Sequence, residues 1–114
     1  SHSDLRTAFA NLLDNAIKYS DGDPKISIRI KKTPLNNRAE IFIKDSGLGI
    51  PTSDLKRIFR RFYRVPNAAV SQSPGSGLGL YIVNSIIKRH GGRVSAQSRG
   101  EGMGSTFLVQ LPLV

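Results

Sequence analysis

The chain of 114 residues reads as an α+β domain, with one mixed sheet and about three helices packed on a single face of it. Three observations carry this. Segments with helical periodicity occur at 4–19, 52–62 and 78–90. Two pairs of strand-like segments, most of them alternating apolar and polar residues, are each joined by turn residues. The order is helix, hairpin, helix and loop, helix, hairpin. The sheet face turned away from the helices is expected to be polar or wet.

Asp4 to Tyr19 is expected to be helical, with Asp4 as its N-cap. At about 100° per residue, Leu5, Phe9, Leu12, Leu13 and Ala16 gather on one side. Asn11, Asn15 and Lys18 follow the i, i+4, i+7 spacing and fall within a wedge of about 60° on nearly the opposite side. Asparagine is a poor helix former, so its placement mid-helix points to chemistry. Carboxamide oxygens are hard ligands suited to Mg²⁺, and a lysine one turn on suits phosphate. The same trio also reads as a solvated polar face.

Ser20-Asp21-Gly22-Asp23-Pro24 carries the stop signal of that helix. Ile26, Ile28 and Ile30 alternate with Ser27, Arg29 and Lys31, which predicts a half-buried strand. Thr33 to Arg38 is turn material, and Ala39 to Lys44 is a second strand, giving an antiparallel hairpin. It runs into Asp45-Ser46-Gly47-Leu48-Gly49-Ile50-Pro51. A carboxylate at a strand end can accept a hydrogen bond from a ligand amine, while glycines on either side of Leu48 let a ring lie against the backbone. This stretch also reads as an ordinary Asp-Ser-Gly turn.

Thr52 or Ser53 is expected to cap a short helix carrying Leu55, Ile58, Phe59 and Phe62 on one face. Residues 65–73 carry no charge and no period, with Pro66 and Pro74 near the ends, and read as a mobile loop of the kind that closes over ligands. Then Gly75, Gly77 and Gly79 stand at every second position before a helix from Leu78 to about His90. Flexible backbone followed by unpaired N–H groups and the positive end of a helix dipole makes an anion site, and phosphate is the usual anion. No Lys-Ser or Lys-Thr follows these glycines and no strand precedes them, so this is neither a P-loop nor the dinucleotide fingerprint. The helix is expected to bury Ile82, Val83, Ile86 and Ile87 and to stop at Gly91-Gly92, with His90 capping its last carbonyls. Arg93 to Ser98 and Ser105 to Leu111 form the second hairpin, with Phe107, Val109 and Leu111 facing inward.

A length of 114 residues supports one domain, 1–114, and a hydrophobic fraction of 39% is ordinary for a globular fold. The absence of cysteine excludes disulfides and thiolate metal sites. No apolar run approaches the roughly 18 residues of a membrane span. The formal charge of +9 suits a solvated basic surface or a polyanionic partner, with Lys56, Arg57, Arg60, Arg61 and Arg64 clustered. No stacking platform or nucleic-acid-binding motif accompanies that charge, so no nucleic-acid partner is expected.

Five motifs in order carry a family resemblance. Asn11 to Tyr19 resembles the N box of sensor histidine kinases, and Asp45-Ser46-Gly47-Leu48-Gly49-Ile50 their first glycine box. Phe59-Arg60-Arg61-Phe62-Tyr63-Arg64 is similar to their F box, Gly75-Ser76-Gly77-Leu78-Gly79-Leu80 to their second glycine box, and Gly102 to Phe107 to their closing glycine motif.

The resemblance implies the Bergerat ATP-binding fold, with ATP and Mg²⁺ as its ligands. It implies that Asn15 holds Mg²⁺ with Asn11 close to the same phosphates, and that Lys18 and Arg64 neutralise phosphate charge. Asp45 would accept from the adenine amino group, with Gly47 and Gly49 giving the ring room. Tyr19, Ile50, Phe62, Gly75, Leu80 and Thr106 join the expected nucleotide site, and Gly77, Leu78 and Gly79 would offer backbone N–H groups to phosphates. Residues 64–77 would be an ATP lid.

Three departures shape the expectation. The strand that precedes this first helix in the family is expected to be truncated, exposing a sheet edge. The lid is neutral over 66–72, where relatives carry further charge, and this leaves a degenerate nucleotide-binding scaffold as the alternative reading. Neither His2 nor His90 sits in a phosphoacceptor segment, so the chain is expected to be a catalytic fragment. Its expected partners are a histidine-bearing dimerisation domain of the same protein and a response regulator receiver domain. The fragment is expected to be soluble and monomeric, and its parent a homodimer at the cytoplasmic face of the bacterial inner membrane.

Overall fold

A computed structural model of the chain describes residues 2–20, 22–35, 37–61, 63, 79–100 and 102–113. Its elements are α1 (His2–Lys18), β1 (Ile26–Thr33), β2 (Arg38–Asp45), a 3₁₀ turn (Thr52–Asp54), α2 (Gly79–Arg89), β3 (Arg93–Gln97) and β4 (Ser105–Pro112). The strands form one sheet in the order β1-β2-β4-β3. This is the α+β architecture the sequence predicts. The described strands are all antiparallel where a mixed sheet was expected. Each hairpin is antiparallel by its short turn, and the hairpins join through β2 and β4, which also run antiparallel.

α1 begins two residues before the expected cap, so Asp4 lies in its first turn, where a carboxylate complements the helix dipole. Its buried line is Ala8, Leu12 and Ala16, spaced by four. That line is centred closer to the asparagines than the expected apolar side. Asn11 and Asn15 are half-buried along the flank of the core, not opposite it. α2 buries Val83, Ile86 and Ile87, while Ile82, expected inside, is 36% exposed. It ends with the Gly92 N–H on the Ile87 carbonyl (2.9 Å) and the Gly91 N–H on that of Lys88 (3.0 Å), a Schellman close. His90 Nδ1 lies 2.8 Å from the Ile86 carbonyl, the capping contact expected of it.

The expected helix at 52–62 is a 3₁₀ turn followed by successive tight turns. Arg57 N–H donates to Asp54 and Arg60 N–H to Arg57, both three residues back, at 2.9 Å. Pro51 occupies the cap and no side chain caps the turn, so neither Thr52 nor Ser53 has that role. The apolar spacing still serves packing. Ile58 is buried, Leu55 and Phe59 pack against the core, and the Phe59 ring meets Phe107 edge-on at 6.1 Å between centroids. With about three helices expected, two α-helices are found among the described residues.

Phe107, Leu12, Ile43, Ile87, Val83 and Val109 are the largest fully buried side chains. Each is worth about 1.5–3 kcal/mol relative to exposure. Together they fasten both helices to β2 and β4, the two central strands. β1 is an edge strand, and Ile28 and Ile30, expected half-buried, are 53% and 72% exposed. They lie opposite Ile43 and Ile41 on the helix-bearing face, but outside the area the core covers.

Candidate functional site

The centre of the candidate site is Asp45, the last residue of β2 and only 7% exposed. Its Oδ1 accepts the Gly47 N–H at 2.9 Å and its Oδ2 accepts the Ser105 hydroxyl at 2.9 Å. Each carboxylate oxygen has two acceptor directions, so the carboxylate retains capacity for a further donor.

The loop after Asp45 is tied down on both sides. Leu48 N–H donates to the Tyr19 carbonyl just beyond α1 (2.9 Å), and Ile50 N–H to the Ser98 hydroxyl (3.1 Å). Gly104 N–H donates to the Gly47 carbonyl (3.1 Å) and Gly102 N–H to that of Leu48 (2.6 Å). The Ser98 hydroxyl in turn donates to the Gly104 carbonyl at 2.7 Å. The end of α1, the loop 46–50 and residues 98–100 and 102–104 are therefore one hydrogen-bonded body.

This explains two glycines in a way the sequence reading did not. A Cβ at Gly47 would overlap the Tyr19 carbonyl oxygen, and one at Gly49, whose φ is +73°, would overlap that of Gly100. The close approach that excludes side chains here is between backbone segments of the chain itself. Ile50 belongs to the buried core, and Tyr19 contributes its backbone carbonyl.

Asn11 and Asn15 lie on α1 two turns and one turn before Tyr19, and Lys18 is exposed at the helix end. Among the described residues neither asparagine side chain has a hydrogen-bond partner. Their oxygens suit Mg²⁺, a hard cation that takes oxygen ligands and shares them with phosphate. No group of three or more His, Cys, Asp or Glu residues that could hold a metal occurs among the described residues. Gly79 and Leu80 form the first turn of α2, where backbone N–H groups lack helical partners. Phe62, Arg64, Gly75, Gly77 and Leu78 lie outside the described residues, as does the expected lid.

Thr106 lies one residue beyond the hydroxyl that meets Asp45. Register pairs it with Lys44, on the sheet face away from the helices, whereas Ser105 pairs with Asp45 on the inner face. The hydroxyl that meets the carboxylate is that of Ser105, one residue earlier. Strand alternation counted back from the inward-facing Phe107 could have found it. Ser98 offered no comparable signal, since its partners are backbone groups of two separate turns.

A second buried carboxylate, Asp54, accepts the Tyr63 phenol. That hydrogen bond, followed by burial and the Asp54 charge, raises the phenol above its ordinary value, against the opposing pull of Arg57.

The chain belongs to the histidine kinase-, DNA gyrase B- and HSP90-like ATPase family, whose profile matches residues 1–114. Within that family its similarity runs to histidine kinases, and the chain is an ATPase catalytic domain of that type. It is 45% identical over 108 residues to the sensor protein kinase WalK of Staphylococcus aureus, a match spanning 95% of this chain and 26% of that relative. In other strains the same match spans 18% of the relative, so the chain corresponds to a minor part of these proteins. The mycobacterial sensor histidine kinase MprB superposes with a TM-score of 0.85 at 33% identity, covering 98% of this chain and 72% of that structure. The catalytic domain of the histidine kinase ThkA gives 0.80 at 26% identity, with coverages of 98% and 69%. Full-length ShkA in complex with AMPPNP gives 0.73 at 26% identity, with coverages of 96% and 21%.

Proposed function

We propose that this domain binds Mg-ATP and supplies the γ-phosphoryl group to a histidine on a separate dimerisation domain. The phosphoryl group would then pass to the receiver domain of a response regulator. The parent would be a homodimeric two-component sensor at the cytoplasmic face of the bacterial inner membrane. Among the described residues no helix is long and apolar enough to cross a membrane. The observation that carries the reading is Asp45, a buried carboxylate held rigidly by Gly47 and Ser105 yet with acceptor capacity left over. The AMPPNP held by ShkA, a structural relative, supports an adenine nucleotide as the ligand.

In this reading Asp45 accepts from the adenine amino group, and its anchored loop keeps the carboxylate from turning away. Asn15 holds Mg²⁺ through its carboxamide oxygen with Asn11 beside it, and the ion would offset phosphate charge. Lys18 and Arg64 add positive charge, and the first-turn N–H groups of α2, with Gly75, Gly77 and Leu78 before it, receive phosphate oxygens. Phosphoryl transfer passes through a loose transition state, so catalysis is mainly positioning and charge neutralisation. The acid or base acting on the histidine comes from the other domain.

Calorimetric titration with a non-hydrolysable ATP analogue, with and without Mg²⁺, tests the binding step. The unsubstituted domain should show Mg²⁺-dependent affinity, and Asn15→Ala should lose it at an unchanged thermal midpoint. Equal Mg-dependent affinity in both proteins rejects the role of Asn15. Mixing the domain with an isolated histidine-bearing helix pair and radiolabelled ATP tests the transfer, and absence of label on the histidine rejects it.

A further inference from the structure

Ser98 stands one residue beyond the end of β3 and is half-buried. A hydroxyl has one proton and two acceptor directions. At Ser98 all three are taken. The proton goes to the Gly104 carbonyl at 2.7 Å, nearer than the Gly100 carbonyl at 3.2 Å. The oxygen accepts the Ile50 N–H at 3.1 Å and the Gly100 N–H at 3.2 Å. No capacity is left for a ligand, so any part this residue has in binding passes through the groups it holds. Two of those groups control the loop after Asp45. Ile50 is held directly. Gly47 is held at one remove: Gly104 donates its N–H to the Gly47 carbonyl at 3.1 Å, and the Gly47 N–H donates to Asp45 Oδ1 at 2.9 Å. One hydroxyl therefore pins the loop 46–50 near both ends, and a chain of hydrogen bonds from it ends on the Asp45 carboxylate.

We infer that Ser98 is a positioning residue for base selection: it fixes the direction of the Asp45 carboxylate, and so sets how strongly the site prefers a purine with a 6-amino group over one without it. The inference rests on Asp45 being the acceptor for the adenine amino group. Without the hydroxyl, the Ile50 N–H, the Gly100 N–H and the Gly104 carbonyl lose the partner they share. Partly buried groups left unpaired favour a local rearrangement that restores their hydrogen bonds. Residues 98–100 and 102–104 then shift, and Gly47 shifts with Gly104. Asp45 Oδ1 loses a fixed donor, while Oδ2 stays on the Ser105 hydroxyl. The carboxylate is free to turn about that remaining bond, and a hydrogen bond weakens steeply as its angle departs from linear. Asn11 and Asn15 on α1 lie outside this chain of bonds, so what the phosphates and metal contribute should be common to both purines.

The probes are ADP and purine riboside 5′-diphosphate, which differ only at the 6-amino group, titrated with Mg²⁺ into the full 114-residue protein by calorimetry. The unsubstituted domain should bind ADP roughly tenfold more tightly or better, the scale of a hydrogen bond to a charged group. In Ser98→Ala that preference should shrink by about threefold or more, through weaker ADP binding, and Ser98→Thr, which keeps the hydroxyl, should restore it. A purely structural role would weaken both diphosphates alike and leave their ratio unmoved. Amide exchange on the same proteins reports the fold. The Ile50 amide should exchange about tenfold faster or more in the alanine variant, while Ile43 and Val109 in the two central strands keep their protection. If core protection falls as well, Ser98→Cys takes the place of alanine, since its thiol is a weaker donor and acceptor, and it should give an intermediate ratio. An unchanged ratio in the folded variant, or a fall that threonine does not reverse, overturns the inference and leaves the reading of Asp45 standing. No preference for ADP in the unsubstituted domain overturns that reading, and the inference with it.

Discussion

Ser105 and Asp45 face each other across the β2–β4 ladder, and the Ser105 hydroxyl donates to Asp45 Oδ2 at 2.9 Å. They are 60 residues apart in sequence. Both are buried, so the bond fixes the direction of the carboxylate as well as contributing to stability. The first hairpin is thereby locked to the second at the edge of the candidate site.

Ser105→Ala should destabilise the domain by about 1–3 kcal/mol, because it removes a donor to a buried acceptor. Ser105→Thr, which keeps the hydroxyl, should recover most of that. Urea unfolding gives the stability, and calorimetry with an ATP analogue gives the function. Nucleotide affinity should fall in the alanine variant and return with threonine. Thr106→Ala, on the opposite sheet face, should leave affinity unchanged.

Asp45→Asn should weaken adenine nucleotides by roughly 1.5–3 kcal/mol, the scale of a hydrogen bond to a charged group. A carboxylate held only by its ligand would lose binding and leave stability almost untouched. The two hydrogen bonds at Asp45 make its case different. The Gly47 N–H and the Ser105 O–H both donate to the side chain, so an asparagine must turn its NH₂ toward one donor. Stability should therefore fall as well, and Ser105→Ala combined with Asp45→Asn should cost less than the sum of the two. A double-mutant cycle in urea checks this, with strict additivity as the contrary result.

The legible parts of the fold are those where a local pattern meets a local cause. The buried faces of α2 and β4 follow from spacing, and the turn at Gly91-Gly92 follows from residue type. Asp45 stood out because an acid at a strand end has a short list of roles. What escaped depends on what packs against what. Ile28 and Ile30 alternate as a buried strand does, yet nothing in their own segment says that the core stops short of them. The flank position of Asn11 and Asn15 became clear once Ala8, too small to anchor an apolar stripe in the sequence, proved fully buried. The backbone segments that Gly47 and Gly49 touch are remote in sequence, so their packing role has no local signal.

The Tyr63–Asp54 bond predicts a pH dependence. A phenol whose folded pKa is raised is held in its neutral form by the fold. The stability it contributes is fully present below the unfolded value of about 10 and is lost as pH rises through the higher folded value. The difference in tyrosinate absorbance between the parent and Tyr63→Phe isolates this group, and its midpoint should lie above about 10. The variant should also lose less stability than the parent across that range. A midpoint at or below the ordinary value would contradict the bond.

Gly22 and Gly49 both have positive φ, at +84° and +73°, and so separate backbone strain from steric overlap. An alanine at Gly22 meets nothing within 4 Å, so it should cost only the left-handed penalty of about 1–2 kcal/mol. An alanine at Gly49 bears the same penalty and also drives its Cβ into the Gly100 carbonyl oxygen. Relief would have to move the 98–104 turn, which holds the loop after Asp45 through Ser98, Gly102 and Gly104. Gly49→Ala should therefore cost more than Gly22→Ala in urea unfolding, and it should lower nucleotide affinity where Gly22→Ala does not. Equal unfolding midpoints for the two variants would show that the turn yields freely and that the loop after Asp45 does not depend on it.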